Sequence, residues 1–183
     1  MKKTDLSKFN NEWYNPGAFP LTRSMWYCVN ACFFNSYFPF YSFKSFLLRL
    51  FGAEIGRGVV IKPKVNIKYP WKLKIGNHCW IGEEVWIDNL DDVLIGDNCC
   101  ISQGALLLCG NHNYKKSTFD LMTGKIILEE GVWIAARSVV CGGVTCRSHS
   151  VLSVASVAVS DLEAYSIYQG NPAFRTKERI ISE

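Results

Sequence analysis

Three histidines are the side chains of this chain best suited to proton transfer near neutral pH: His78, His112 and His149. An imidazole takes up and releases a proton in that range, and it also ligates zinc. Zinc sites draw their ligands from short spacings, and no two of these histidines are close in sequence. Cysteine offers no substitute. The eight are Cys28, Cys32, Cys79, Cys99, Cys100, Cys109, Cys141 and Cys146, with no C-x-x-C pair. That argues against a zinc ribbon or a redox dithiol, so no metal site is expected. Reduced cysteines packing as small hydrophobes account for the set, with Cys28 and Cys32 on one helix face. His112 stands apart from the other two histidines. It lies in Gly-Asn-His-Asn-Tyr at 110–114, at the start of a polar run to about Thr123.

The elements that must position His112 show in a period of six. Aliphatic residues recur at Ile55, Ile61 and Ile67, at Ile75, Ile81 and Ile87, and at Ile95, Ile101 and Leu107. The pattern resumes at Leu128, Ile134, Val140, Cys146, Leu152 and Ala158. Small or β-branched residues follow four positions later, as at Val59, Val65, Cys79, Cys99, Ser138, Ser150 and Ser156. This period matches neither the 3.6 of a helix nor the 2 of a strand. It fits a parallel β-helix of hexapeptide repeats, three to a coil. At ~4.8 Å per layer, about five coils make a prism ~24 Å tall. His78 and His149 take the fourth position of their repeats, a turn, and are expected to be exposed.

The early coils carry two extra residues, since Ile55, Ile75 and Ile95 are 20 apart. Trp71, Asp91 and Asn111 break the small-residue rule at the same interval. They form one column, and His112 follows the last of them. Departures from a regular pattern concentrate at functional sites, so this edge is the candidate site.

Residues 1–54 have another texture. Fifteen of the 25 Phe, Trp and Tyr lie there. The spacing predicts helices over 24–34 and 42–51, broken at Pro39, that cap one end of the prism. Asn30, Asn35, Ser36 and Pro39 interrupt the aromatic run, which excludes a membrane-spanning helix of ~20 apolar residues. Six Lys/Arg against three Asp/Glu in this segment leave room for peripheral contact with a membrane or a lipid-linked substrate. The expected organisation is a helical cap at 1–54, a β-helix at 55–163 with a loop protruding at about 113–123, and a short tail at 164–183. The 183 residues, 49% hydrophobic and 20% charged, suit one packed domain. A net charge of +4 without a clustered patch does not indicate nucleic acid. Met1 to Glu12 is polar, with no leader-like apolar stretch, so a cytoplasmic protein is expected, with a peripheral place at the inner membrane face left open.

The hexapeptide spacing, Gly-Asn-His-Asn-Tyr at 110–114, Gly-Val-Trp-Ile-Ala-Ala at 131–136 and Gly-Asn-Pro-Ala at 170–173 resemble the hexapeptide-repeat acyltransferases. The similar branch is that of the colanic-acid-type sugar O-acetyltransferases, near the maltose, galactoside and nodulation-sugar enzymes. The resemblance spans roughly residues 45–180. It implies an all-β fold, a left-handed parallel β-helix, against the usual right-handed crossover. It also implies a homotrimer, active sites in clefts between subunits, acetyl-CoA as donor and a sugar or glycan precursor as acceptor.

By that resemblance His112 is the general base. Glu83 stands where the family carries asparagine. An ionised carboxylate cannot donate to an oxyanion, so Glu83 is expected to orient the acceptor hydroxyl or to hold the His112 tautomer. Asp88, Asn89 and Asn113 are the acceptor-binding candidates. Trp133, Ala136, Val154, Val159, Ser160, Arg175 and Lys177 are the cofactor-binding candidates. Val159 and Ser160 replace a Thr-Lys pair, and Phe174 replaces a basic residue. The implied activity is acetyl transfer to a sugar hydroxyl in exopolysaccharide, capsule or O-antigen synthesis. Three alternatives accompany it. One is an N-acetyltransferase for an amino sugar or nucleotide sugar, and another is a scaffold without catalysis. The third is a γ-type carbonic anhydrase, whose three-histidine zinc site is missing here.

Overall fold

The computed structural model describes residues 3–182. Met1 and Lys2 of the expected cap and Glu183 of the expected tail lie outside the described residues. Three parallel sheets form the walls of a prism. The first holds Glu54–Ile55, Leu73–Ile75, Val93–Ile95, Ile126–Leu128 and Thr145–Cys146. The second runs from Val60–Ile61 through Trp80–Ile81, Cys100–Ile101, Trp133–Ile134 and Val151–Leu152 to Ser166–Gly170. The third holds Asn66–Ile67, Trp86–Asp88, Leu106–Leu108, Val139–Cys141 and Val157–Ala158. Five coils are complete, and the second sheet begins a sixth.

The register explains the period of six. In the first sheet Ile55 pairs with Ile75, Ile75 with Ile95, Ile95 with Leu128, and Leu128 with Cys146. Ile61, Ile81, Ile101, Ile134 and Leu152 stack likewise in the second, and Ile67, Ile87, Leu107, Val140 and Ala158 in the third. All of these except Ile55 are buried. Each short strand has too few residues to be stable alone, and its partners one coil away supply both the hydrogen bonds and the apolar contact.

The extra residues of the early coils fill the corner between the third and first sheets. Pro70–Lys72 forms a 3-10 turn there. The Asn89 side chain is fully buried, accepts from Tyr69 N at 2.9 Å and donates to Tyr69 O at 2.5 Å. Trp71 stacks on Tyr69 at 5.2 Å and donates to Pro16 O at 2.6 Å. The irregular column therefore fastens the N-terminal segment to the prism.

The cap follows the expected helices with shifted bounds. Helix α1 spans Pro20–Val29 and continues through a π-helical turn at Asn30–Phe34. It starts earlier than the apolar spacing suggested because Pro20 is preset for the first helical turn. Helix α2 spans Tyr41–Leu50. Trp26 and Phe34 are buried with their rings 5.2 Å apart, and Trp26 Nε1 donates to Ile67 O at 2.8 Å. Lys44 on α2 is buried and donates to Lys62 O at 2.9 Å; burial pulls its ammonium down to about 8. Cap and coils share one core. Among the described residues no helix is long and apolar enough to cross a membrane.

Three expectations are corrected. The segment after residue 112 is not a simple loop: Gly110–His112 pairs antiparallel with Leu121–Thr123, so 113–120 is the tip of a hairpin. Residues 164–183 are more than a tail, since Ala173–Glu178 pairs antiparallel with Ser166–Gly170 and extends the second sheet. His149 also differs from its expected exposure. It is half-buried against Tyr165, with ring centroids 4.8 Å apart, whereas His78 is exposed.

The small fifth position is set by this geometry. The Ser138 hydroxyl donates to Ala135 O, and the Ser156 hydroxyl to Val154 O. Ser150 is equally buried, but among the described residues its hydroxyl has no partner. Ser150→Ala is expected to raise stability by about 1 kcal/mol, because it removes a desolvated, unbonded hydroxyl. Gly131 has φ +68°, and a Cβ there would collide with the His149 ring. Gly131→Ala is expected to cost about 1–3 kcal/mol. Urea unfolding of both variants reads the two opposite signs.

Candidate active site

His112 ends the outgoing strand of the hairpin, on the edge between the third and first sheets. Its Nδ1 lies 2.9 Å from Phe119 O. A carbonyl only accepts, so Nδ1 carries the proton, and in the neutral imidazole the lone pair is on Nε2. The Phe119 ring stacks on the imidazole at 4.4 Å and 8°, and Phe9 approaches at 5.8 Å. The half-buried ring is thus fixed in both orientation and tautomer. The hairpin tip is braced in turn. Asn113 N donates to Asp120 O at 2.8 Å, and Lys116 Nζ pairs with Asp120 Oδ2 at 2.8 Å. Asp5 N donates to Ser117 O at 2.8 Å, so the N-terminal segment also holds the tip.

Glu83 occupies a different corner, between the second and third sheets. Its carboxylate meets Lys62 Nζ at 3.3 Å. Its own backbone N–H, and after it Lys62, hold the carboxyl below the usual carboxylate range. Glu83 is therefore ionised at neutral pH. Within one copy it does not reach His112, and the Phe119 carbonyl does the tautomer-fixing expected of it.

The acceptor candidates divide. Asp88 is buried, accepts from Lys68 Nζ at 2.8 Å and lines a cavity beside α1. Asn89, expected to bind the acceptor, is fully buried with both ends of its amide bound to Tyr69, so it has no free group for a ligand. Asn113 accepts from Lys115 N at 3.1 Å within the hairpin tip.

The cofactor candidates fall on two edges. Glu83, Gln103, Ala136 and Val154 stack in one corner column. Gly104 N donates to Glu83 O, Arg137 N to Gln103 O and Ala155 N to Ala136 O, all at 2.8–3.0 Å. Trp133 projects from the adjoining second sheet and donates to Ser102 Oγ at 3.0 Å. Val159 and Ser160 are exposed on the other edge, in the His112 corner. Arg175 is engaged with Ser166 at 2.9 Å and with Glu163 and Glu178 at 3.5 and 3.7 Å. Lys177 is exposed and forms no ion pair among the described residues.

Sequence reasoning missed the neighbours that shape this edge. Phe119 acts through its backbone carbonyl, which no side-chain pattern reports. Tyr14, half-buried and donating to Leu90 O at 2.6 Å, comes from the cap. Lys68 was findable, because it precedes Asp88 by the same 20 residues that separate the coils. Among the described residues no group of three or more His, Cys, Asp or Glu is arranged to hold a metal.

The chain is 36% identical over 181 residues to Escherichia coli WcaF, which bears the name of a colanic acid biosynthesis acetyltransferase. That match covers 98% of this chain and 99% of WcaF. The chain belongs to the hexapeptide-repeat acetyltransferases. No family model matches it. Two solved structures share the fold at 21% identity. One is the hexapeptide-repeat acetyltransferase VCA0836 of Vibrio cholerae, solved with acetyl-CoA, at TM-score 0.79 over 88% of each chain. The other is a galactoside acetyltransferase in complex with CoA, at TM-score 0.78 over 88% of this chain and 82% of that one. Hexapeptide-repeat acetyltransferases of this fold are left-handed parallel β-helices, and this chain is one of them.

The His112 geometry of this acetyltransferase carries a direct spectroscopic expectation. Long-range ¹H–¹⁵N correlation of the neutral imidazole should show the proton on Nδ1. A dominant Nε2–H form would mean that the Phe119 contact does not set the tautomer.

Proposed function

We propose that this acetyltransferase moves an acetyl group from acetyl-CoA to a sugar hydroxyl of a polysaccharide precursor, with His112 as general base. The observation that carries this reading is the Nδ1 contact to Phe119 O, which in the neutral imidazole puts the lone pair on Nε2. Nε2 takes the hydroxyl proton as the sugar oxygen attacks the thioester carbonyl. It then gives that proton to the departing thiolate. Such a base contributes roughly 10²–10⁴ in rate. The colanic acid name of WcaF supports the glycan class of acceptor.

Small side chains at Ala136 and the outward Val154 leave their corner open to an extended pantetheine arm. That corner and the His112 corner are different edges of one prism. Joining them requires a second copy, which supports a closed ring of three with a site at each junction. Arg175 and Lys177, on the strand that extends the second sheet, are the cations proposed for the nucleotide phosphates.

His112→Ala is expected to lower kcat by roughly 10²–10⁴ while acetyl-CoA binding holds; near-normal kcat on an acetylated acceptor would remove the base from His112. Light scattering is expected to give three times 20.7 kDa. The shared site has a sharper test. Refolding a 1:1 mixture of His112→Ala and Ala136→Trp copies is expected to restore about a quarter of wild-type activity, from junctions that pair one intact half with the other. A mixture no more active than its parents would place the whole site within one copy.

A further inference from the structure

Two cavities, of about 390 and about 580 Å³, lie between the N-terminal segment and the third sheet. They share Arg23, Lys68 and Tyr69 and so form one groove. One end is walled by Phe9 and Leu121. Phe9 touches the His112 ring, and Leu121 is the strand partner of His112, so this end opens toward the proposed base. The other end is walled by Tyr27, Trp86 and the Asn30–Asn66 amide pair. Aromatic faces and amides are suited to sugar rings, which present C–H faces and hydroxyl edges.

The charges in the groove are unevenly satisfied. Lys68 is bound to Asp88 at 2.8 Å. Glu12 lines the outer cavity and forms no ion pair with Arg23. Arg23 sits at the junction of the two cavities, and its Nε is buried with no hydrogen-bond partner among the described residues. It has no ion pair among the described residues. A buried donor without an acceptor is unfavourable, and a water or a ligand oxygen in the groove would satisfy it. A guanidinium fork matches the paired oxygens of a carboxylate or phosphate.

We propose that this groove binds an acceptor longer than one sugar and seats an anionic group of it, carboxylate or phosphate, on Arg23. This rests on the acceptor reading given above, but its test does not need turnover. The hydroxyl to be acetylated lies at the His112 end, and the anion is held farther along, where Arg23 joins the two cavities. The neutral sugar unit beyond the anion lies against Tyr27 and Trp86.

The test is calorimetric binding without acetyl-CoA, using three probes: a hexuronate-containing trisaccharide, its neutral hexose counterpart, and a disaccharide 1-phosphate. The wild type is expected to bind at least one anionic probe about 10- to 100-fold more tightly than the neutral one, the range of a charged hydrogen-bonded contact. Arg23→Gln is expected to abolish that preference and leave neutral binding within about twofold, while Arg23→Lys retains part of it. Loss confined to the hexuronate probe identifies a carboxylate, and loss confined to the phosphate probe identifies a phosphate. Should Arg23→Gln fail to fold, salt dependence of wild-type binding decides, since only anion binding weakens with ionic strength. Equal affinity for all three probes, or an equal effect of Arg23→Gln on all three, overturns the proposal. Failure of acetyl transfer with intact anion-selective binding would instead overturn the general-base reading and leave the groove.

Discussion

Coil-to-coil hydrogen bonding is the constraint on which the rest of the molecule depends. Most strands in the prism are two or three residues long. Such a strand is held only because the coils before and after it present matching N–H and C=O groups at a fixed spacing. That spacing forces identical positions of successive coils into columns. A column of Ile, Leu and Val makes the interior, and a column of corner residues makes an edge. Function on this scaffold is therefore a matter of what each edge column carries.

The two edges that matter are built differently. At the corner of Glu83, Gln103, Ala136 and Val154 the column is regular, and successive turns are linked by backbone bonds. It is a straight rail along the prism. At the corner between the third and first sheets the column is interrupted by longer turns, by the buried Asn89 clamp and by the His112 hairpin. The irregular edge has room for a side chain to be oriented by a carbonyl, and His112 is oriented in that way. The rail has no such device and offers small side chains beside Trp133. A regular edge suits an extended ligand and an irregular one suits a reacting group.

The N-terminal segment does more than close the open end of the prism. Trp26 and Lys44 tie it to the first coil through Ile67 O and Lys62 O. Tyr14 and Asp5 tie it to the irregular edge through Leu90 O and Ser117 O, and Trp71 of that edge donates back to Pro16 O. It ends up as one wall of the groove that leads to His112. Its aromatic richness, which in a sequence suggests a cap or a membrane face, supplies anchors into the core and a lining for that groove.

The period of six determined the prism and the inward columns, because stacking imposes the same residue types at the same interval on every coil. The break at 20 residues marked the irregular edge for the same reason. The glycine, asparagine and tryptophan motifs indicated the family, which 36% identity to WcaF over 181 residues shows. Tertiary structure alone decided the tautomer of His112, since Phe119 contributes a backbone carbonyl and a carbonyl has no residue type. It decided that Asn89 is a clamp, because its amide is saturated by a backbone one coil away. It decided that Glu83 and His112 stand on separate edges, because a repeat fixes which corner a residue occupies only once the coils have closed. It also revealed the unpaired Arg23, whose significance depends on what surrounds it in space and not on its neighbours in the chain.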